Sequence, residues 1–177
     1  MTSTPTLTEI RQAIRNVPDF PKPGIQFKDI TPVLADFRLF GACVDFLTSG
    51  HAPGSIDAVA GIDARGFIFA AAAAVRLGTG FIPIRKQGKL PYRTIEESYE
   101  LEYGSATIAV HADAARPGSR VLLLDDLLAT GGTAGAAVAL LRRLGAEVVE
   151  AGFLIELSFL GGRRRLGGCP VRTQIVY

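Results

Sequence analysis

The chain has 177 residues, enough for one domain with a sizeable core, and 48% of them are hydrophobic. Its 19 basic and 17 acidic residues leave a formal charge of +2, too balanced for charge alone to imply a nucleic-acid or acidic-membrane partner. Two cysteines, Cys43 and Cys169, give neither a disulfide framework nor zinc-ligand spacing, and no apolar stretch approaches the ~20 residues of a membrane span.

Thr6 to Glu9 has capping-box spacing ahead of Ile10, Ile14 and Val17, which predicts a helix to about Asn16. Pro18, Pro21 and Pro23 then argue against regular structure, so Pro18 to Pro32 is expected as a stiff, extended connection. Phe37, Phe40, Val44 and Leu47 mark a second helix ending at Ser49-Gly50, with its aromatics in the core. Asp57 to Ile62 and Gly80 to Arg85 read as strands flanking a helix over Arg65 to Leu77 that Gly78 closes. Lys86 to Tyr103 is polar and is expected as a long mobile excursion before a strand at Ala106 to His111. Val121 to Leu124 suits a strand buried on both faces, followed by a helix over Ala134 to Leu144 and a strand over Val148 to Leu157. This alternation predicts an α/β fold with a doubly wound sheet.

The most informative stretch joins that buried strand to its helix: Asp125-Asp126-Leu127-Leu128-Ala129-Thr130-Gly131-Gly132-Thr133. The carboxylates should emerge at the strand's carboxyl end, where open α/β sheets bind ligands, and the turn should present free N–H groups to an anion. Carboxylates accept hydrogen bonds and suit sugar hydroxyls, while Thr130, Thr133 and the glycines suit a phosphate. The pattern describes a ribose 5-phosphate cradle. It lacks the Gly-Lys-Ser/Thr of a Walker loop, and Gly78-Thr79-Gly80 lacks the third glycine of a dinucleotide loop. His51 and His111 have neither metal-ligand spacing nor a nucleophile partner, and Arg163-Arg164-Arg165 reads as a solvated turn.

With its acidic pair and Thr-Gly-Gly-Thr loop, the stretch resembles the type I phosphoribosyltransferases. Pro18 to Ile25, Ala64 to Phe67, Ile84 to Pro91, Ser98 to Gly104 and Leu124 to Thr133 together are similar to the adenine phosphoribosyltransferase family over essentially the whole chain. The resemblance implies the type I phosphoribosyltransferase fold, with a mainly parallel central sheet, in a single domain over residues 1–177. It further implies an N-terminal helix and base-binding segment over 1–32 and a flexible hood over 86–105. The family reaction joins adenine to 5-phosphoribosyl 1-pyrophosphate, yielding AMP and pyrophosphate, a step of purine salvage.

By resemblance Asp125 and Asp126 hold the ribose, and Ala129, Thr130, Gly131, Gly132 and Thr133 receive the 5-phosphate. Ala64, Arg65, Arg85, Lys86 and Lys89 serve the pyrophosphate, with a strained or cis Asp63-Ala64 peptide. Ile25, Gln26, Phe27, Lys28 and Leu127 surround adenine. Glu102 positions or deprotonates the base as the catalytic carboxylate, and Tyr103 helps close the hood. Gln26 and Lys28 depart from the aliphatic residue and arginine usual there, and lysine lacks arginine's planar fork. Mg²⁺ is implied, carried mainly by the donor with no direct protein ligand. A cytoplasmic homodimer is expected. Transfer to hypoxanthine or guanine, and a noncatalytic phosphoribosyl-binding regulator, are the alternatives.

Overall fold

The computed structural model describes residues 4–100 and 104–177 and divides into two compact units, 1–46 and 47–177. The first unit opens with α1 (Leu7–Ala13). The Glu9 carboxylate accepts from the Thr6 N–H at 2.7 Å and the Thr6 hydroxyl accepts from the Glu9 N–H at 3.3 Å, the reciprocal capping expected from the sequence. The helix ends at Ala13 rather than near Asn16, because β1 (Arg15–Pro18) pairs antiparallel with β2 (Gln26–Asp29).

The segment expected as a stiff, extended connection therefore carries regular structure. Pro18 falls at the end of β1 and Pro21 and Pro23 in the connection between the strands, leaving Gln26 to Asp29 with backbone donors for pairing. A five-residue helix, α2 (Thr31–Ala35), follows, its Thr31 N–H held by Asp29 Oδ1 at 2.9 Å. In α3 (Phe37–Thr48), Ala42, Cys43, Val44 and Leu47 are buried, but Phe37 is 83% exposed and is not part of the core.

The second unit is built on a seven-stranded sheet. Its strands are β3 (Ala58–Ile62), β4 (Gly80–Lys86), β5 (Thr94–Glu100), β6 (Ser105–His111), β7 (Arg120–Leu128), β8 (Glu147–Glu156) and β9 (Val171–Val176). They lie in the order β5-β6-β4-β3-β7-β8-β9, parallel from β4 to β9 with β5 and β6 antiparallel at one edge. Two helices make the crossovers, α4 (Arg65–Leu77) from β3 to β4 and α5 (Gly132–Arg143) from β7 to β8. Gly78, at φ +67°, closes α4 as the sequence predicts.

The two crossovers leave in opposite directions along the sheet. Right-handed connections then place α4 and α5 on opposite faces, and β7 must be apolar on both. Val121 and Leu123 join the cluster that includes Ala137, Val138 and Leu141 of α5, whereas the alternate residues Leu122 and Leu124 are equally buried but lie outside it.

Part of the polar segment 86–103, expected as a long mobile excursion, is regular strand. Residues 94–100 form β5, registered against β6 from Thr94↔His111 to Glu100↔Ser105. Its inward positions Ile95, Glu97 and Tyr99 alternate with exposed Glu96, Ser98 and Glu100, a period-two pattern that the glutamates disguise. The basic run is exposed, as expected of a solvated turn, but it is also anchored. Arg163 grips the buried Glu156 carboxylate by two bonds, 2.8 and 2.7 Å, and Thr173 Oγ1 at 2.8 Å, tying the turn to β9. Among the described residues no helix is long and apolar enough to cross a membrane.

Leu123→Ala should destabilise the protein by about 2–5 kcal/mol in urea unfolding, since it empties a fully buried site between β7 and α5. A loss below about 1 kcal/mol would show that the site collapses freely around the cavity.

Candidate active site

Where neighbouring crossovers diverge, a crevice opens at the carboxyl ends of their strands. Here that point lies between β3 and β7, and three sequence motifs meet there. β3 delivers Asp63, Ala64 and Arg65, with the Asp63-Ala64 peptide cis. β4 ends on Lys86, and β7 carries Asp125 and Asp126. The carboxylates lie in the carboxyl-terminal part of the strand, whose pairing with β8 continues past them to Leu128↔Glu156.

A cavity of about 280 Å³ is bounded by Asp63, Arg65, Lys86, Asp125, Asp126 and Thr133. It adjoins a hollow of about 90 Å³ formed by Asp125 and residues 127–134, which share Leu127 and Thr133 with it. A larger recess of about 500 Å³, bounded by Asp57 and residues 113–119, lies at the opposite, amino ends of β3 and β7.

The small hollow is a helix start. α5 begins at Gly132, two residues earlier than predicted, and Gly131 precedes it at φ +81°. The N–H groups of its first turn have no partner within the helix, and the helix dipole adds partial positive charge. A feature the sequence reading missed stands behind this turn. A side chain at Gly131 would collide with the backbone of Gly162, and one at Gly162 with the Ala129 carbonyl, so two backbones meet in direct contact. Two adjacent glycines, Gly161 and Gly162, after a buried strand were the available signal.

At the crevice Asp126 is 4% exposed and its carboxylate accepts from Arg65 Nε. The Asp126 N–H donates to Asp125 Oδ1 at 2.8 Å. Gly66 packs so closely that an added Cβ would lie 2.6 Å from Asp125 Oδ1. Burial, and then the neighbouring Asp126 carboxylate, push Asp125 well above the usual carboxylate range, against a smaller downward pull from Arg65.

The remaining predicted residues divide. Arg85 donates to Asp63 Oδ2 at 3.2 Å and to the Lys89 carbonyl at 2.9 Å, and neither Arg85 nor Lys89 is among the residues bounding the 280 Å³ cavity. In the first unit Ile25 and Gln26 are exposed, and Phe27 meets Phe20 edge to face at 5.1 Å. Lys28 donates to Asn16 Oδ1 at 2.7 Å, and partial burial, aided by Arg11, lowers its pKa. Glu102 and Tyr103 lie outside the described residues. Among the described residues no group of three His, Cys, Asp or Glu side chains is arranged to hold a metal.

Residues 45–165 match the family described as Phosphoribosyl transferase domain. The adenine phosphoribosyltransferase of Acidothermus cellulolyticus is 60% identical over 162 residues, 92% of each chain. This chain belongs to the adenine phosphoribosyltransferase family. Its structure matches the crystal structure of that enzyme from Rhodothermus marinus with a TM-score of 0.92 at 52% identity, covering 97% of this chain and 98% of that one. The Saccharomyces cerevisiae enzyme, complexed with an imino-altritol bisphosphate and adenine, matches at 0.90 and 39% identity, covering 95% and 97%. The type I phosphoribosyltransferase fold is the one expected from the sequence.

Because its folded-state pKa is raised above the unfolded value, Asp125 holds its proton longer in the folded protein. Its ionisation therefore costs stability as pH rises from about 4 through the folded value, and the cost is constant above it. Asp125→Asn keeps a carbonyl to accept the Asp126 N–H and should melt a few degrees higher, with a larger advantage at pH 8 than at pH 4. An advantage that shrinks with rising pH in thermal melts would contradict this.

Proposed function

We propose that this protein transfers the 5-phosphoribosyl group from 5-phosphoribosyl 1-pyrophosphate to adenine, producing AMP and pyrophosphate in purine salvage. The observation carrying this reading is the paired carboxylates of β7 leading into an anion-ready helix start, facing Arg65 and Lys86 across one cavity. In this reading Asp125 and Asp126 accept hydrogen bonds from the ribose hydroxyls. Residues 129–133 donate N–H and hydroxyl groups to the 5-phosphate.

Arg65 and Lys86, with backbone N–H groups near Ala64, stabilise the pyrophosphate as it departs with the bonding electrons of the C1–O bond. Arg65 is held by Asp126 and is released to the pyrophosphate as the sugar takes over that carboxylate. Arg85 and Lys89 act beside the cavity. Ile25 to Lys28 and Leu127 are assigned to adenine on the family resemblance, with Glu102 accepting or steering the ring proton and Tyr103 closing the hood.

The residues fit an Mg²⁺ carried by the donor. The mutual repulsion that raises Asp125 is the kind of field a nearby divalent cation relieves, and its ligands would be oxygens of the donor and water. When bound, the ion neutralises pyrophosphate charge. A cytoplasmic homodimer, with Arg85 near the neighbour's site, belongs to the same reading.

Purified protein with Mg²⁺, the donor and adenine should yield equimolar AMP and pyrophosphate, and adenine should outcompete hypoxanthine and guanine. No AMP across a range of pH and metal concentration would overturn the reading. Glu102→Gln should lower kcat by about 10²-fold while shifting the donor KM less than about threefold, as expected for loss of general-base assistance. Unchanged turnover would remove Glu102 from the chemistry.

A further inference from the structure

The edge strand β5 is fixed to α5 at two points. Near the carboxyl end of α5, Arg143 Nη1 donates to the Glu96 carbonyl at 2.6 Å and to the Glu97 carboxylate at 2.9 Å. At the amino end the contact is apolar. A Cβ added to Gly132 would meet Tyr99 Cδ2 at 3.0 Å, the Glu100 carbonyl at 3.4 Å and Tyr99 Cε2 at 3.6 Å, so its three nearest atoms all belong to β5. The half-buried Tyr99 ring thus rests against the first residue of α5.

Tyr99 also separates two spaces. It bounds the 280 Å³ cavity with Lys86 and Thr133, and on its other side bounds a groove of about 290 Å³ with Gly135 and Arg165. One ring is both a wall of the donor cavity and a support beside the turn that faces the 5-phosphate. Hydrogen bonds from that turn depend steeply on distance and angle, so a small tilt of Gly132 and Thr133 weakens them.

We infer that Tyr99 is a positioning residue for the donor, its ring fixing the orientation of the Gly132–Thr133 turn that receives the 5-phosphate. This rests on the transferase reading of the cavity. Ring carbons make the contact, so Tyr99→Phe retains it and Tyr99→Ala removes it. The neighbouring Ile95, on the same strand and packed against the core, is the control, because its truncation loosens β5 away from Gly132.

The test measures kcat, both KM values and calorimetric binding of ribose 5-phosphate with Mg²⁺ for the parent, Tyr99→Phe, Tyr99→Ala and Ile95→Ala. Tyr99→Ala should weaken ribose 5-phosphate binding and raise the donor KM about tenfold, comparable to weakening one charge-assisted hydrogen bond, while the adenine KM stays within about twofold. Tyr99→Phe and Ile95→Ala should bind ribose 5-phosphate as the parent does. If Tyr99→Ala does not fold, Tyr99→Leu carries the same expectation. Parental binding by the truncated variant, or an equal loss in Ile95→Ala, overturns the inference. A parent that forms no AMP yet loses ribose 5-phosphate on Tyr99 truncation would sink the transferase reading and leave the positioning role standing.

Discussion

The crevice between β3 and β7 is the constraint on which the second unit depends. Two crossovers of one hand, leaving neighbouring strands in opposite directions, cannot fill the space above both strand ends. That geometry makes β7 a strand covered on both faces, hence its aliphatic run, and it brings the starts of α4 and α5 to one cleft. The polar residues at the cleft follow from the topology, because the chain must turn there to enter each helix.

The same crevice concentrates electrostatic cost. Asp125 and Asp126 are adjacent and withdrawn from solvent, and the Asp126 N–H and, more weakly, Arg65 oppose the burial and repulsion that raise Asp125. Replacing a carboxylate there relieves the fold while removing an acceptor that the proposed function assigns to sugar hydroxyls, the usual opposition between stability and function at a binding site. Backbone contact between Gly131 and Gly162 serves the opposite purpose. It leaves the turn at the start of α5 little room to relax, so its N–H groups are held in place before any ligand arrives.

Local chemistry made much of this legible in the sequence. The capping box at Thr6, the closing Gly78 and the apolar run of β7 each act over a few residues, and each forms as expected. The junction itself was readable because an aliphatic run, two acids and two glycines mark a buried strand turning into a helix, and β7 and α5 meet there. What was not legible depends on partners distant in sequence. β1 and β2 form because each supplies the other's backbone bonds across a proline-rich connection. β5 was hidden by glutamates on an edge strand, and the Arg163 turn by its bond to Glu156 on β8. Gly162 and Tyr99 act on the 129–133 turn from elements 30 residues away or more, contacts that no local pattern announces.

In the proposed function the β7–α5 junction is a ribose 5-phosphate cradle. A crystal structure of the protein with ribose 5-phosphate and Mg²⁺ tests it most directly. The account predicts phosphate oxygens within about 2.7–3.2 Å of the N–H groups of residues 131–133, with the sugar hydroxyls on Asp125 and Asp126. A sugar phosphate seated elsewhere, such as the recess beside residues 113–119, with the junction holding only water, would contradict it.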